Sequence, residues 1–223
     1  MSVLIDIDGT ILNTQEKKHE AYQEIIEVIR KTFSFNNFNM DLFWSIVRIQ
    51  FELFSDYRKN DMIIRLKMIR AFLDLPIDEF DLLLPHLIEL YWNKISEGHE
   101  IPIAKNFLKE LSNNNIIFYL FSDSSIEETQ FKMKLFSKGF FPDEPTIFLT
   151  DHRESPNPKI ITLGKNKIKE TYQFLKDNYN ARIMIGDSEL FDILPAKQAG
   201  LEAFNIQDEN FDNLLDKIFE VLK

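Results

Sequence analysis

Val3-Leu4-Ile5 runs straight into Asp6-Ile7-Asp8-Gly9-Thr10, an apolar segment that stops abruptly at two aspartates and a glycine. The apolar run reads as a short buried strand, and the polar stretch after it as the loop at that strand's carboxyl end. In open α/β sheets this is where ligands and chemistry collect. Asp6 and Asp8 are two positions apart, so in a continuing strand they share one face. At a strand-to-loop junction both can converge on one metal ion or one reacting group. Carboxylates this close repel each other unless a cation or a shared proton relieves them. A helix cap or an Asx-turn accounts for one of the two aspartates and poorly for the second.

The rest of the chain divides by periodicity. From about residue 14 to 98 the apolar positions follow helical spacing: Tyr22, Ile25, Ile26, Ile29 and Phe33, then Leu42, Ile46, Ile49 and Leu53. Met62, Leu66, Ile69 and Leu73 continue it, as do Phe80, Leu83, Leu87, Tyr91 and Ile95. Pro76 and the stretch from Glu97 to Pro102 punctuate this region, the second marking a return to the main domain. Thereafter strands and helices alternate. Strands are expected at residues 116–121, 146–150, 182–185 and 201–206, and helices at 103–111, 127–136, 167–177 and 191–199. An amphipathic C-terminal helix carries Phe211, Leu214, Leu215, Ile218 and Leu222. Strands separated by helices of this length predict parallel pairing with right-handed crossovers. The expected fold is therefore α/β: a three-layer α/β/α, Rossmann-like core with a parallel sheet (residues 1–13 and 99–223), plus an inserted helical bundle (residues 14–98).

Charge and composition narrow the function. A formal net charge of -10 argues against nucleic acid and anionic membranes as partners. With no cysteine, disulfides, thiolate ligands and cysteine nucleophiles are excluded, so the chemistry uses oxygen and nitrogen. There is no secretory leader pattern at the N-terminus and no apolar run near the roughly 20 residues that span a bilayer, which makes a cytoplasmic location the expectation.

A second acidic cluster, Gly186-Asp187-Ser188 with Asp192 five residues after Asp187, follows another apolar run. Alone it reads as a turn and a helix cap. Taken with the first cluster it carries a resemblance. Asp6-Ile7-Asp8-Gly9-Thr10 resembles the first motif of the haloacid dehalogenase (HAD) superfamily, and Ile185-Gly186-Asp187-Ser188 with Asp192 resembles its fourth. Between them, Phe118-Tyr119-Leu120-Phe121-Ser122 resembles the second motif, an apolar strand ending in Ser or Thr. The resemblance spans nearly the whole chain and is to the phosphatase branch, phosphoglycolate phosphatase-like, with an α-helical (C1) cap.

The resemblance implies roles residue by residue. Asp6 is the nucleophile that forms an aspartyl-phosphate. Asp8 is the acid that protonates the leaving alcohol and the base that deprotonates water, and its presence favours phosphotransfer over dehalogenation. Magnesium is held by the Asp6 carboxylate, the Asp8 backbone carbonyl and Asp187, with Asp192 in direct contact or in support. Ser122 hydrogen-bonds a phosphate oxygen. The third motif, a lysine that balances charge, departs from the commonest pattern. Ser155-Pro156-Asn157-Pro158 resembles the usual Lys-Pro-x-Pro segment but has Ser155 in the lysine's place. Gly164-Lys165-Asn166-Lys167 fits a variant with the lysine at the start of the next helix, so Lys165 and Lys167 are rival candidates and Lys159 an outsider. Asp123 is a further departure, since Asn or Gly is more usual after the second-motif Ser.

The helical insertion resembles a cap that closes over the site and contacts the leaving group. Within it Arg48, Arg58, Lys59, Arg65 and Arg70 are candidates for an anionic leaving group, though most read as solvated charges. The aromatic segment Phe43, Trp44, Phe51, Phe54 and Tyr57 reads as packing before it reads as a specificity pocket. The expected partner is a small phosphorylated metabolite, and the expected assembly a monomer or homodimer. Competing readings are a sugar-phosphate mutase sharing Asp6 and Asp8, a catalytically silent binding protein of the same fold, and a receiver-type domain accepting phosphate as a signal.

Overall fold

The computed structural model describes residues 1–34, 39, 41–43, 45, 62–122, 124, 128–129, 131–132, 147–149, 160–163 and 167–222. In chain order the elements are β1 (Ser2–Asp6), α1 (Thr14–Phe33), α2 (Met62–Phe72), α3 (Ile77–Ser96), α4 (Pro102–Asn113) and β2 (Ile117–Ser122). They continue with β3 (Ile147–Leu149), β4 (Ile160–Leu163), α5 (Lys169–Tyr179) and β5 (Ala181–Gly186). A π-helical turn (Glu189–Ile193) leads into α6 (Leu194–Gln198), then β6 (Glu202–Asn205) and α7 (Phe211–Leu222). The chain forms two compact units, Met1–Asn13 with His99–Lys223, and Thr14–Gly98.

The first unit is built on a six-stranded sheet in the order β3-β4-β2-β1-β5-β6, with every pairing parallel. Alternation along each strand feeds two cores. Val3, Ile5, Phe118, Leu120, Ile183 and Ile185 pack with Phe107, Leu108 and Leu111 of α4 and Leu214 and Ile218 of α7. Leu4, Phe121 and Met184 pack on the opposite face with Tyr172, Leu175, Ile193 and Ala196. That is the expected α/β/α sandwich.

Three local features depart from the sequence reading. Ile160-Ile161-Thr162-Leu163, not expected as a strand, is β4 and pairs with both β2 and β3. It is a four-residue apolar run between Pro158 and Gly164, too short to show a period of its own. α5 begins at Lys169, so Lys167 lies in the extended segment before it and not on the helix. The helix expected from residue 191 begins earlier, as a π-turn in which the Ile193 amide reaches back to the Ser188 carbonyl. Of the helix expected at residues 127–136, only 128, 129, 131 and 132 are described, and they are helical.

The two points where the chain leaves and re-enters this unit are tied together. Asn13 donates its amide to the His99 carbonyl, and the His99 amide donates to Asn13 Oδ1 at 2.8 Å. Leu12 bridges Glu100.

The second unit packs the apolar faces of α1, α2 and α3. Tyr22, Ile25, Ile29, Leu66, Ile69, Phe80, Leu87, Tyr91 and Ile95 are buried as their spacing predicts. Among the described residues the register fails at one point, where Leu42 is 49% exposed and Phe43 is buried against the Phe72 ring; Ile46, Ile49 and Leu53 lie outside the described residues. Asn39 Oδ1 accepts from the Leu42 amide, the contact of an N-cap. None of the described helices is long and apolar enough to cross a membrane.

Candidate active site

β1 lies between β2 and β5, and all three strands run the same way, so their carboxyl ends meet at one edge of the sheet. Asp6 ends β1 opposite Phe121, Ser122 ends β2, and Asp187 follows Gly186 at the end of β5. The loop after β1 turns back at once: the Gly9 amide donates to the Leu12 carbonyl at 2.7 Å, and the Ile11 and Leu12 amides donate to the Ile7 carbonyl. Gly9 has φ of 77°, a conformation that side-chain-bearing residues resist, which explains the glycine after Asp8.

Asp6, Asp187 and Asp192 each offer a carboxylate oxygen, and these three oxygens lie within 4.8 Å of one another. Asp192 comes from the π-turn. Its Oδ2 accepts from the Ser188 amide at 3.1 Å, and the Tyr172 hydroxyl secures the turn by donating to the Phe191 carbonyl at 3.0 Å. Gly186 makes room for it, because a Cβ there would sit 2.4 Å from Asp192 Cγ.

Lys167 is the cation at this cluster. It is 5% exposed, its ammonium donates to Asp6 Oδ1 and, at 2.6 Å, to Asp192 Oδ1, and it stands 5.3 Å from the centre of the Phe121 ring. Its position just ahead of α5, outside the helix, lets the side chain reach β1. Burial pushes the Asp6 carboxyl well above the usual carboxylate range; Lys167 works against that shift, and Asp192 and Asp8 add to it. Asp187 is pushed up to about 6, first by burial and next by the charge of Asp192. Burial is thus the first cause of both rises and the neighbouring carboxylates add to it, so further positive charge at the cluster favours the ionised forms.

Such a donor set fits magnesium. Three carboxylates with convergent oxygens, and among the described residues no sulfur or imidazole beside them, are hard-cation chemistry, and a divalent ion offsets both the burial and the repulsion that raise Asp6 and Asp187. The Asp8 side chain belongs elsewhere: its Oδ2 accepts from Lys132 Nζ at 2.7 Å and from the Ser124 hydroxyl at 3.3 Å. Ser122 is 1% exposed, and its hydroxyl oxygen accepts from the Ser124 amide at 3.1 Å.

The sequence of residues 1–200 matches the profile of the haloacid dehalogenase-like hydrolases. The chain belongs to that family. Similar solved structures bear out the fold. A protein from Haemophilus somnus assigned by name as a phosphoglycolate phosphatase is 13% identical, with a TM-score of 0.62 and 97% of each chain covered. A Thermotoga maritima protein assigned as a beta-phosphoglucomutase is 16% identical, with a TM-score of 0.61, covering 98% of this chain and 100% of the other. The HAD-fold protein YfnB of Bacillus subtilis, solved with bound magnesium, is 19% identical, with a TM-score of 0.58 and coverages of 91% and 86%. None of the curated proteins compared gives a significant match.

Within this HAD-family framework, the structure brings together Asp6, Lys167, Asp187 and Asp192, with Ser122 on the neighbouring strand end. Lys165, Lys159, Ser155 and Asp123 lie outside the described residues, as do Arg48, Arg58, Lys59, Trp44, Phe51, Phe54 and Tyr57. Arg70 donates to the Leu75 carbonyl at 3.2 Å, and Arg65 lies over the Tyr22 ring, 5.8 Å from its centre, so both have local partners in the helical unit. Sequence reasoning missed Ser124, Glu128 and Lys132. Their only signal was a Glu and a Lys four apart, a spacing that on most helices marks a solvated pair.

Proposed function

We propose that this hydrolase is a magnesium-dependent phosphomonoesterase that acts on a small phosphorylated metabolite through an aspartyl-phosphate on Asp6. The observation that carries the reading is the Asp6 carboxylate at the end of the central strand, paired with Lys167 and within reach of Asp187 and Asp192. A carboxylate with that company can attack phosphorus, because its negative charge is balanced where the phosphoryl group arrives. Asp6, Asp187 and Asp192 would hold magnesium, which would supply positive charge against the phosphoryl oxygens.

In the first step an Asp6 oxygen forms a bond to phosphorus as the bond to the substrate alcohol breaks, and the departing oxygen takes a proton from Asp8. In the second, water gives a proton to Asp8 and attacks phosphorus, releasing inorganic phosphate and restoring the Asp6 carboxylate. Lys167 stays protonated throughout and balances charge on Asp6 as the phosphoryl group arrives and leaves. Ser122 offers a hydroxyl to a phosphate oxygen.

The test is release of inorganic phosphate from p-nitrophenyl phosphate and a panel of metabolite phosphates, in magnesium and in EDTA. Wild-type turnover that needs magnesium and vanishes in Asp6→Asn is the expected result. Transfer of phosphate between positions of a sugar, with none released, would replace the reading with a mutase. Inertness towards every substrate would replace it with a binding role.

A further inference from the structure

A second buried lysine lies near β1's end, at Asp8, and the chemistry above leaves it unused. Lys132 has no exposed surface. An ammonium so placed persists only if paired. It is paired twice: with Glu128, one helical turn earlier and itself 2% exposed, at 2.5 Å, and with Asp8 Oδ2 at 2.7 Å. The Ser124 hydroxyl sits within the same group, 2.9 Å from Lys132 Nζ and 3.3 Å from Asp8 Oδ2. Its amide is bonded to Ser122, so the network is anchored on β2.

Asp8 therefore sits in the loop after β1 but has its carboxylate gripped by Ser124 and Lys132, which follow β2. An acid–base group must lie within hydrogen-bond reach of the oxygen it serves, and small misplacements are costly. We infer that Lys132, oriented by Glu128, is a positioning residue that holds the Asp8 carboxylate in its working place. The inference rests on the phosphatase reading for Asp8's role. The contact itself needs no such reading.

The experiment compares kcat/KM for a substrate with a poor leaving group, an alkyl phosphate, and one with a good leaving group, p-nitrophenyl phosphate. This ratio covers the steps through phosphoryl transfer to Asp6, and only the alkyl alcohol needs a proton there. Lys132→Met is expected to lower kcat/KM by roughly 10²-fold or more on the alkyl phosphate and by under about tenfold on p-nitrophenyl phosphate. On an Asp8→Asn background the same change is expected to add almost nothing, since the two act as one unit. Ser124→Ala, which removes only a hydroxyl, should show the same split more weakly and keeps the test open if Lys132→Met does not fold. Equal losses on both substrates, or additive losses on the Asp8→Asn background, would overturn the inference. If the wild type hydrolyses neither substrate, the phosphatase reading fails, and a crystal structure of Lys132→Met or Ser124→Ala decides the positioning claim. Asp8 displaced there supports it, and Asp8 unmoved overturns it.

Discussion

Two buried lysines flank the carboxyl end of β1, each between two carboxylates: Lys167 between Asp6 and Asp192, and Lys132 between Asp8 and Glu128. They differ in what surrounds them. Around Lys167 a third carboxylate, Asp187, crowds in, and the pKa values of Asp6 and Asp187 are raised, so that side is built to receive further positive charge. Around Lys132, among the described residues, a neutral hydroxyl, that of Ser124, joins the two carboxylates. In the proposed reading, one motif, a buried ammonium held by two acids, serves a cation-binding nucleophile at Asp6 and the fixing of an acid–base group at Asp8.

Removing the Lys167 ammonium should have the largest effect. Lys167→Met leaves Asp6 and Asp192 facing each other without their cation. Phosphatase kcat should fall by about 10²–10³-fold. Metal-free protein should lose about 3–5 kcal/mol in denaturant unfolding, because a buried pair has been broken. Little change in either would show that Lys167 is no more than a structural neighbour and break the contrast with Lys132.

Gly186→Ala sharpens the cation-binding half. The added methyl lands on Asp192. Magnesium affinity by calorimetry should drop about tenfold or more, with a stability cost of about 1–3 kcal/mol. Asp8 and Lys132 should be untouched.

The smallest effect concerns pH. Asp187 binds its proton longer in the folded chain, up to about 6, than at its ordinary 3.8. Between those values the folded state holds more protons than the unfolded one, so this group's contribution falls as pH rises through the window and is level above it. In EDTA, Asp187→Asn should melt together with the wild type near the bottom of that window and about 2–4 °C above it at neutral pH. Magnesium should reverse the order. A difference independent of pH would contradict the upward shift of Asp187.

The same contrast governs what the sequence revealed. Asp6, Asp8, Ser122 and Asp187 stand at strand ends, where an apolar run stopping at a polar residue is visible in one dimension. Lys167 was visible only as one of two rivals. What brings Lys167 to Asp6 is a local matter, that α5 starts at Lys169 and leaves Lys167 ahead of the helix, and helix starts are poorly marked here because the N-cap is Ile168. Asp192 was placed without its π-turn, since nothing in Glu189-Leu190-Phe191-Asp192-Ile193 announces an i to i+5 bond. Lys132 and Glu128 were invisible because burial decides their meaning. An i, i+4 Glu–Lys pair is ordinary on a solvated helix, and nothing in the composition says this one is enclosed. β4 was lost because four apolar residues carry no period.

The central claim is that Asp6 itself carries the phosphoryl group, and acid-quench mass spectrometry tests it most directly. Asp8→Asn is mixed with magnesium and p-nitrophenyl phosphate, whose leaving group needs no acid, so the first step proceeds while attack by water is slowed. The expected result is the mass of one phosphoryl group on the peptide containing Asp6, and its absence when Asp6→Asn is added. Turnover with the phosphoryl group on another residue, or with none on the Asp6 peptide under those conditions, would contradict it.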